Sequence, residues 1–211
     1  MGLRGEAAIV GFAEYKTERN YIGPRKFTIE QWAELTHMAL QDAGLQASDI
    51  NGLVCSDIRE AGMFTPATIV EYLGKPVNFA ERVDLGGATA VGMVWRAAAA
   101  IELGICDVVV CALPALPIPS NPRPKSANPQ RYFGASSNEW GSPQAEFEIP
   151  FGAVQGSYGY AMIANRYNYE YGVTPRQLAK IAADQRFNAQ QQPKAVFCGQ
   201  PISVEIGRTH V

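Results

Sequence analysis

The chain has 211 residues, 47% of them apolar and 18% charged, with a formal net charge of -2. That length fills one large domain or two small ones, and the charge offers no basic field to nucleic acid or an anionic membrane. No apolar run reaches the roughly 18 residues that span a bilayer. No charged segment followed by an apolar stretch marks a signal peptide, so the expected compartment is the cytoplasm.

In chain order, Ala7-Ala8-Ile9-Val10-Gly11-Phe12 reads as a buried strand. A polar loop follows from Glu14 to Lys26. Thr28 and Gln31 form a capping-box pair opening a helix whose apolar stripe is Ile29, Trp32, Ala33, Thr36, Leu40 and Ala43, stopped by Gly44. His37 lies off that stripe and reads as a surface residue. Leu53-Val54-Cys55 begins a second strand after the turn at 49–52. Thr65-Pro66 opens a short helix to about Leu73, and Asn78 to Val83 is a third strand. Gly86-Gly87 then leads into a helix from about Ala88 to Leu103. This helix is apolar on nearly every side and is expected to be covered on all faces. Asp107 to Ala112 follows as a central strand.

The alternation of strands and helices predicts an α/β layered fold. Residues 1–112 are its core. Residues 113–156 differ: eight of the 14 prolines fall there, from Pro114 to Pro150. Loops of that length are usually functional, and Tyr132, Phe133, Trp140 and Phe147 give this one apolar mass to pack. Residues 157–200 read as paired helices, Tyr158 to Tyr171 and then Thr174-Pro175-x-Gln177 leading a helix to about Gln190, with Leu178, Ile181, Ala182 and Ala189 as its apolar face. Residues 201–211 form an atypical tail.

Cys55, Cys106, Cys111 and Cys198 are scattered, and with only His37 and His210 beside them no metal site is expected. Cys55, Cys106 and Cys111 sit in or beside apolar strands and read as core residues. There is no G-x-S-x-G, and Gly86-Gly87 is no G-x-G-x-x-G fingerprint.

The stretch VDLGGATAVGMVWRAAAAIELGICDVVVCA, Val83 to Ala112, carries the chemistry. A strand passes through a glycine turn into a helix whose N-terminal N–H groups and dipole favour negative charge. This segment resembles the active-site strand–loop–helix of the thiolase superfamily. Asp84 takes the place of the family's Asn, Ala88-Thr89 take the Ala-Ser place, and Gly104-Ile105-Cys106-Asp107-Val108 match the exit. Gly87 falls where the nucleophilic cysteine belongs. The opening AAIVGFAEY, then ALQDAGL, DINGLV and TPRQLAKIAADQRFNAQQQPKAVF, resemble other parts of the family's N-terminal half. The nearest likeness is to the sterol-carrier-protein or lipid-transfer-protein type, the aldolase-like thiolases.

The resemblance implies a thiolase-like layered fold with a mixed sheet and one buried Ala-rich helix. It implies acyltransferase or retro-aldol chemistry on a CoA thioester as substrate, with no bound cofactor. Substrate binding is expected at Asp84, Gly86, Gly87, Ala88 and Thr89. The implied assembly is a homodimer or a hetero-oligomer with an OB-type, DUF35-like partner. Covalent acyl transfer through residue 87 is excluded, because glycine has no side chain to carry it. Two roles stay open for Gly87: letting a substrate carbonyl approach backbone N–H groups, or permitting a tight turn. Asp84 is either a hydrogen-bond acceptor in the site or a structural turn residue. Tyr158, Tyr160, Tyr167, Tyr169 and Tyr171 are acids by type but read as packing residues. The ending Ile206-Gly207-Arg208-Thr209-His210-Val211 departs from the family, so a truncated or frame-shifted product is expected, with His210 outside the chemistry. Alternatives to an enzyme are a non-catalytic acyl-CoA or lipid-binding subunit and an inactive fragment.

Overall fold

The computed structural model describes residues 3–18, 22–24, 26–61, 63–114, 141–152 and 156–207. It divides into two units, Met1–Tyr15 with Asn20–Pro119, and Lys16–Arg19 with Ser120–Val211.

The first unit is an α/β structure built on β1 (Gly52–Cys55), β2 (Phe79–Arg82) and β3 (Val109–Ala112), in the order β2-β1-β3. Both pairings are parallel, with Val54 opposite Glu81 on one side and Cys111 on the other. All four residues of β1 are buried, as expected for a parallel strand covered on both faces. Alternate side chains go opposite ways. Leu53 and Cys55 pack with Trp32 of α1 (Thr28–Ala43), Ile69 of α2 (Thr65–Leu73) and Ile58. Val54 packs the other way, with Val83 and with Met93 and Ala97 of α3 (Thr89–Glu102). The unit is thus three layers deep: α1 and α2, the sheet, then α3.

Helix α1 begins differently from the sequence pattern. Its entry is held by two carboxylates: Phe27 N–H donates to Glu30 at 2.8 Å, while Thr28 and Ile29 N–H donate to Glu60 at 2.9 and 3.3 Å. Negative charge at a helix N-terminus is favourable. Gln31 instead donates its side-chain amide to Lys26 O at 3.3 Å.

Three further expectations are corrected. Ala7 to Phe12 forms no strand, and Ile9, Val10 and Phe12 are exposed. The segment is fastened to helices instead: Arg4 and Gly5 N–H donate to Glu102, and Phe12 N–H to Asp42. Gly11 lies so close to α1 that a Cβ there would stand 2.3 Å from Ala39 O. Second, β3 is an edge strand of the described sheet, and β1 is the central one. The three described strands all run parallel, within the layered α/β fold that the sequence predicts. Third, α3 is covered on one face only. Thr89, Met93, Ala97 and Ala100 are buried, whereas Val91, Val94 and Trp95 are exposed, because no second layer of the described unit lies beyond them.

The second unit contains α4 (Gly156–Tyr171), α5 (Pro175–Gln190) and the short α6 (Val204–Gly207). The expected cap of α5 is present: Thr174 N–H donates to Gln177 Oε1 at 2.6 Å. Ala179 is the buried residue of α5, while Leu178 and Ile181 of the expected stripe are exposed. Helix α6 packs on α5, with Arg176 and Glu205 3.5 Å apart. Tyr158, Tyr160, Tyr167, Tyr169 and Tyr171 are exposed rather than packed, although Tyr167 and Tyr171 meet with ring centroids at 4.6 Å and the Arg166 guanidinium lies 5.9 Å from the Tyr169 ring centroid. Tyr132, Phe133, Trp140 and His210 lie outside the described residues. Phe147, in a short helical stretch Gln144–Glu148, is exposed.

Among the described residues, no helix is long and apolar enough to cross a membrane, and no group of three or more His, Cys, Asp or Glu is placed to hold a metal.

Two substitutions test the packing of the first unit. Thr36 Oγ1 is buried without a hydrogen-bond partner among the described residues, so Thr36→Val is expected to raise unfolding stability in urea by about 1 kcal/mol. Phe64, exposed and at φ 56°, sits in the left-handed region that disfavours a Cβ, so Phe64→Gly is expected to gain about 0.5 kcal/mol. A loss in either variant would show a contact that the packing does not contain.

Candidate functional site

In an open parallel sheet the loops leaving the carboxyl ends of the strands are the usual ligand-binding edge. Here those loops follow β1 and β2. Arg82, the last residue of β2, joins them: its Nε lies 2.5 Å from Asp57 Oδ1, and its NH2 donates to Asp57 Oδ2 at 2.8 Å. The same guanidinium stands 3.8 Å from Asp84 Oδ2. These side chains are about half exposed, so solvent screens the pairs.

The turn from β2 into α3 gathers all five expected site residues. Asp84 is exposed, and its Oδ1 accepts Gly86 N–H at 3.2 Å. Gly86 has φ 55°, the left-handed conformation that glycine tolerates best. A 3-10 turn at Gly86–Ala88 then leads into α3. Thr89 is buried, and its hydroxyl is used twice: it accepts Leu85 N–H at 2.9 Å and donates to Gly86 O at 2.8 Å. Ala88 N–H donates to Leu85 O at 3.1 Å, and Thr89 N–H goes to Gly86 O.

Across residues 85–89, these bonds leave the Gly87 N–H as the one backbone donor without an acceptor among the described residues. A Cβ built on Gly87 would meet nothing within 4 Å. The positive φ belongs to Gly86 and not to Gly87. Glycine at 87 is therefore not demanded by the turn, and it leaves open space beside a free N–H at the positive end of a 14-residue helix. The sequence pointed to this turn through its glycine pair. It gave no signal for Arg82 and Asp57, whose pairing depends on two strands meeting in space.

The three thiols of the first unit offer no ready nucleophile. Cys55 is buried, and burial pushes its thiol up to about 11, with Asp57 raising it further and Arg82 opposing. Burial also raises Cys106, with Asp107 adding to the effect. Cys111 corrects the sequence reading, since it is exposed on the edge strand. Its sulfur nevertheless turns inward and donates to Met93 O at 3.6 Å, and burial pushes the thiol up to about 11. At pH 7 such a thiol is ionised in only about one molecule in ten thousand. Cys198 is exposed in the second unit, and His37 is exposed on α1.

No family model matches the chain. It is 33% identical over 210 residues to the "Steroid side-chain-cleaving aldolase" of Thermomonospora curvata, covering 96% of this chain and 50% of that protein. It is 31% identical over 206 residues to the "17-hydroxy-3-oxo-4-pregnene-20-carboxyl-CoA lyase" of Mycobacterium tuberculosis, again 96% and 50%. The "Acetyl-CoA acetyltransferase" of Methanothermobacter thermautotrophicus is 28% identical over 175 residues, covering 80% of this chain and 41% of that protein. A solved structure, "Ltp2-ChsH2(DUF35) aldolase", matches with a TM-score of 0.75 and 30% identity over 94% of this chain and 47% of that one. The chain spans about half the length of the curated relatives it matches. These matches relate it to thiolase-like proteins of the aldolase type.

The two glycines of the turn are expected to behave differently. Gly86→Ala should lose about 1 kcal/mol, because alanine is strained at positive φ, whereas Gly87→Ala should stay within about 0.5 kcal/mol of the parent. Gly87→Cys should fold and be alkylated by iodoacetamide faster than Cys198, since a helix N-terminus lowers a thiol pKa. Equal losses at 86 and 87 would contradict the assignment of the strained position.

Proposed function

We propose that the chain contributes one α/β half of an aldolase-type site that cleaves a C–C bond in the acyl group of a CoA thioester. The observation that carries this reading is the turn itself, an unpartnered Gly87 N–H beside open space where an acyl-transferring relative would need a nucleophile. Retro-aldol cleavage needs no covalent intermediate. The β-hydroxyl proton leaves to a base, the Cα–Cβ bond breaks to give a carbonyl, and the electron pair moves onto the thioester as an enolate. The enolate is then protonated at Cα. An N–H aimed at the thioester oxygen stabilises the charge that develops there, and Gly87 supplies such a donor. Asp84 and Thr89 keep it in place by closing the turn around Gly86, and Ala88 leads the chain into α3.

The names of the 33% and 31% identical relatives favour a steroid-like acyl group, and the Ltp2-ChsH2(DUF35) likeness favours a hetero-oligomer with a DUF35-type partner. The exposed apolar residues Val91, Val94 and Trp95 on α3 also favour an assembly, because single chains seldom leave such a face to water. A second reading, an acyl-CoA-binding subunit without turnover, is favoured by the raised thiols and the doubly bonded Thr89 hydroxyl.

Incubating the chain, alone and with a DUF35-type protein, with β-hydroxyacyl-CoA thioesters separates these readings. Cleavage is expected to release a carbonyl product and a shorter acyl-CoA with no free CoA. Release of free CoA would point to acyl transfer or hydrolysis, and binding without product would favour the second reading.

A further inference from the structure

Gly86 is held at both ends. Its N–H donates to Asp84 Oδ1 at 3.2 Å, and its carbonyl accepts the Thr89 hydroxyl at 2.8 Å and the Thr89 N–H. That carbonyl shares a planar trans peptide unit with the Gly87 N–H, and in such a unit the two groups point opposite ways. With the carbonyl directed into the first turn of α3, the Gly87 N–H is directed away from the helix. Its aim therefore depends on Gly86 staying fixed. Thr89 is buried under α3, whereas Asp84 is exposed and has to be held by another group.

Arg82 is placed to hold it. Its Nη2 lies 3.8 Å from Asp84 Oδ2, the oxygen that Gly86 does not use, and that oxygen has no other partner among the described residues. The guanidinium is itself anchored. Nε stands 2.5 Å from Asp57 Oδ1, and Nη2 donates to Asp57 Oδ2 at 2.8 Å. Such a fork fixes the plane of the guanidinium as well as its distance. A single exposed ion pair holds little, but a forked pair within a run of charges is the exception. Asp57 has a firm base, because its neighbour Ile58 is buried in the core with Trp32. The two strands also stay paired up to their exit, where Val83 N–H donates to Cys55 O at 2.9 Å. We propose that Arg82, anchored by Asp57, is a positioning residue that keeps Asp84 on Gly86 and so aims the Gly87 N–H. That this aim serves an enolate rests on the reading of the chain as a CoA-thioester aldolase.

Backbone 15N relaxation of the full chain tests the role. In the parent, Gly86 and Gly87 are expected to be as ordered as Met93 and Ala97 in α3, with order parameters of about 0.85. Arg82→Gln is expected to lower Gly86 and Gly87 to about 0.6 or less while Met93 and Ala97 keep their values. Asp84→Ala should loosen them too, and adding Arg82→Gln to it should change nothing more, since Arg82 acts through Asp84. Should Arg82→Gln not fold, Asp57→Asn, which frees the guanidinium and leaves Asp84 in place, is expected to loosen the same two amides. With a DUF35-type protein and a β-hydroxyacyl-CoA, kcat should fall about tenfold and KM stay within about twofold. A Gly87 amide that is loose in the parent, or as ordered in the variant as in the parent, overturns the assignment. So does equal loosening of Met93 and Ala97, or a double variant looser than Asp84→Ala alone. A raised KM with unchanged kcat also overturns it and makes Arg82 a substrate-binding group. If Gly87 loosens as expected while the parent cleaves no acyl-CoA, the positioning role stands and the aldolase reading falls.

Discussion

The buried hydroxyl of Thr89 closes the passage from β2 into α3, accepting Leu85 N–H and donating to Gly86 O. A buried hydroxyl must find partners, and this one finds both of them within its own turn. That settles the local backbone. Gly86 takes the left-handed conformation, Asp84 accepts its N–H, and Ala88 bonds back to Leu85. With those donors occupied, the Gly87 N–H remains. The candidate site is thus left over by a turn whose other polar groups are satisfied, and its position at the tip of α3 is as secure as the packing of Met93 and Ala97 on Val54.

Much of this was legible in the sequence because the relevant signals are local. Glycines after Ala43 and Leu73, Pro66 and Pro175, and the Thr174–Gln177 pair set helix ends that the structure reproduces. What escaped depends on distant partners. The entry of α1 reads as Thr28 and Gln31, yet the carboxylate that caps it comes from Glu60, a full element away. Apolar character alone said that Ile9, Val10, Val91 and Trp95 should be covered, but only a neighbouring layer can cover them, and the described residues hold none. Pairing of Arg82 with Asp57 needs β1 and β2 side by side, which composition and period do not reveal.

Those exposed faces and the half-length match to the relatives bear on the same point. Helix α3 buries its sheet-facing residues and leaves the opposite side apolar, a pattern suited to a helix between two layers. The tyrosines of α4 are likewise turned to solvent. Hydrophobic surface of this kind makes apparent stability depend on what binds it, so the properties of the isolated chain and of an assembly containing it need not agree.

Glu60 has a wider consequence. It lies four positions before Phe64 in the same loop and clamps the first turn of α1. Swinging that loop outward would strip a helix of its cap, so the exit of β1 and the start of α1 are held as one piece. A loop ordered in this way has little disorder left to lose when something binds against it.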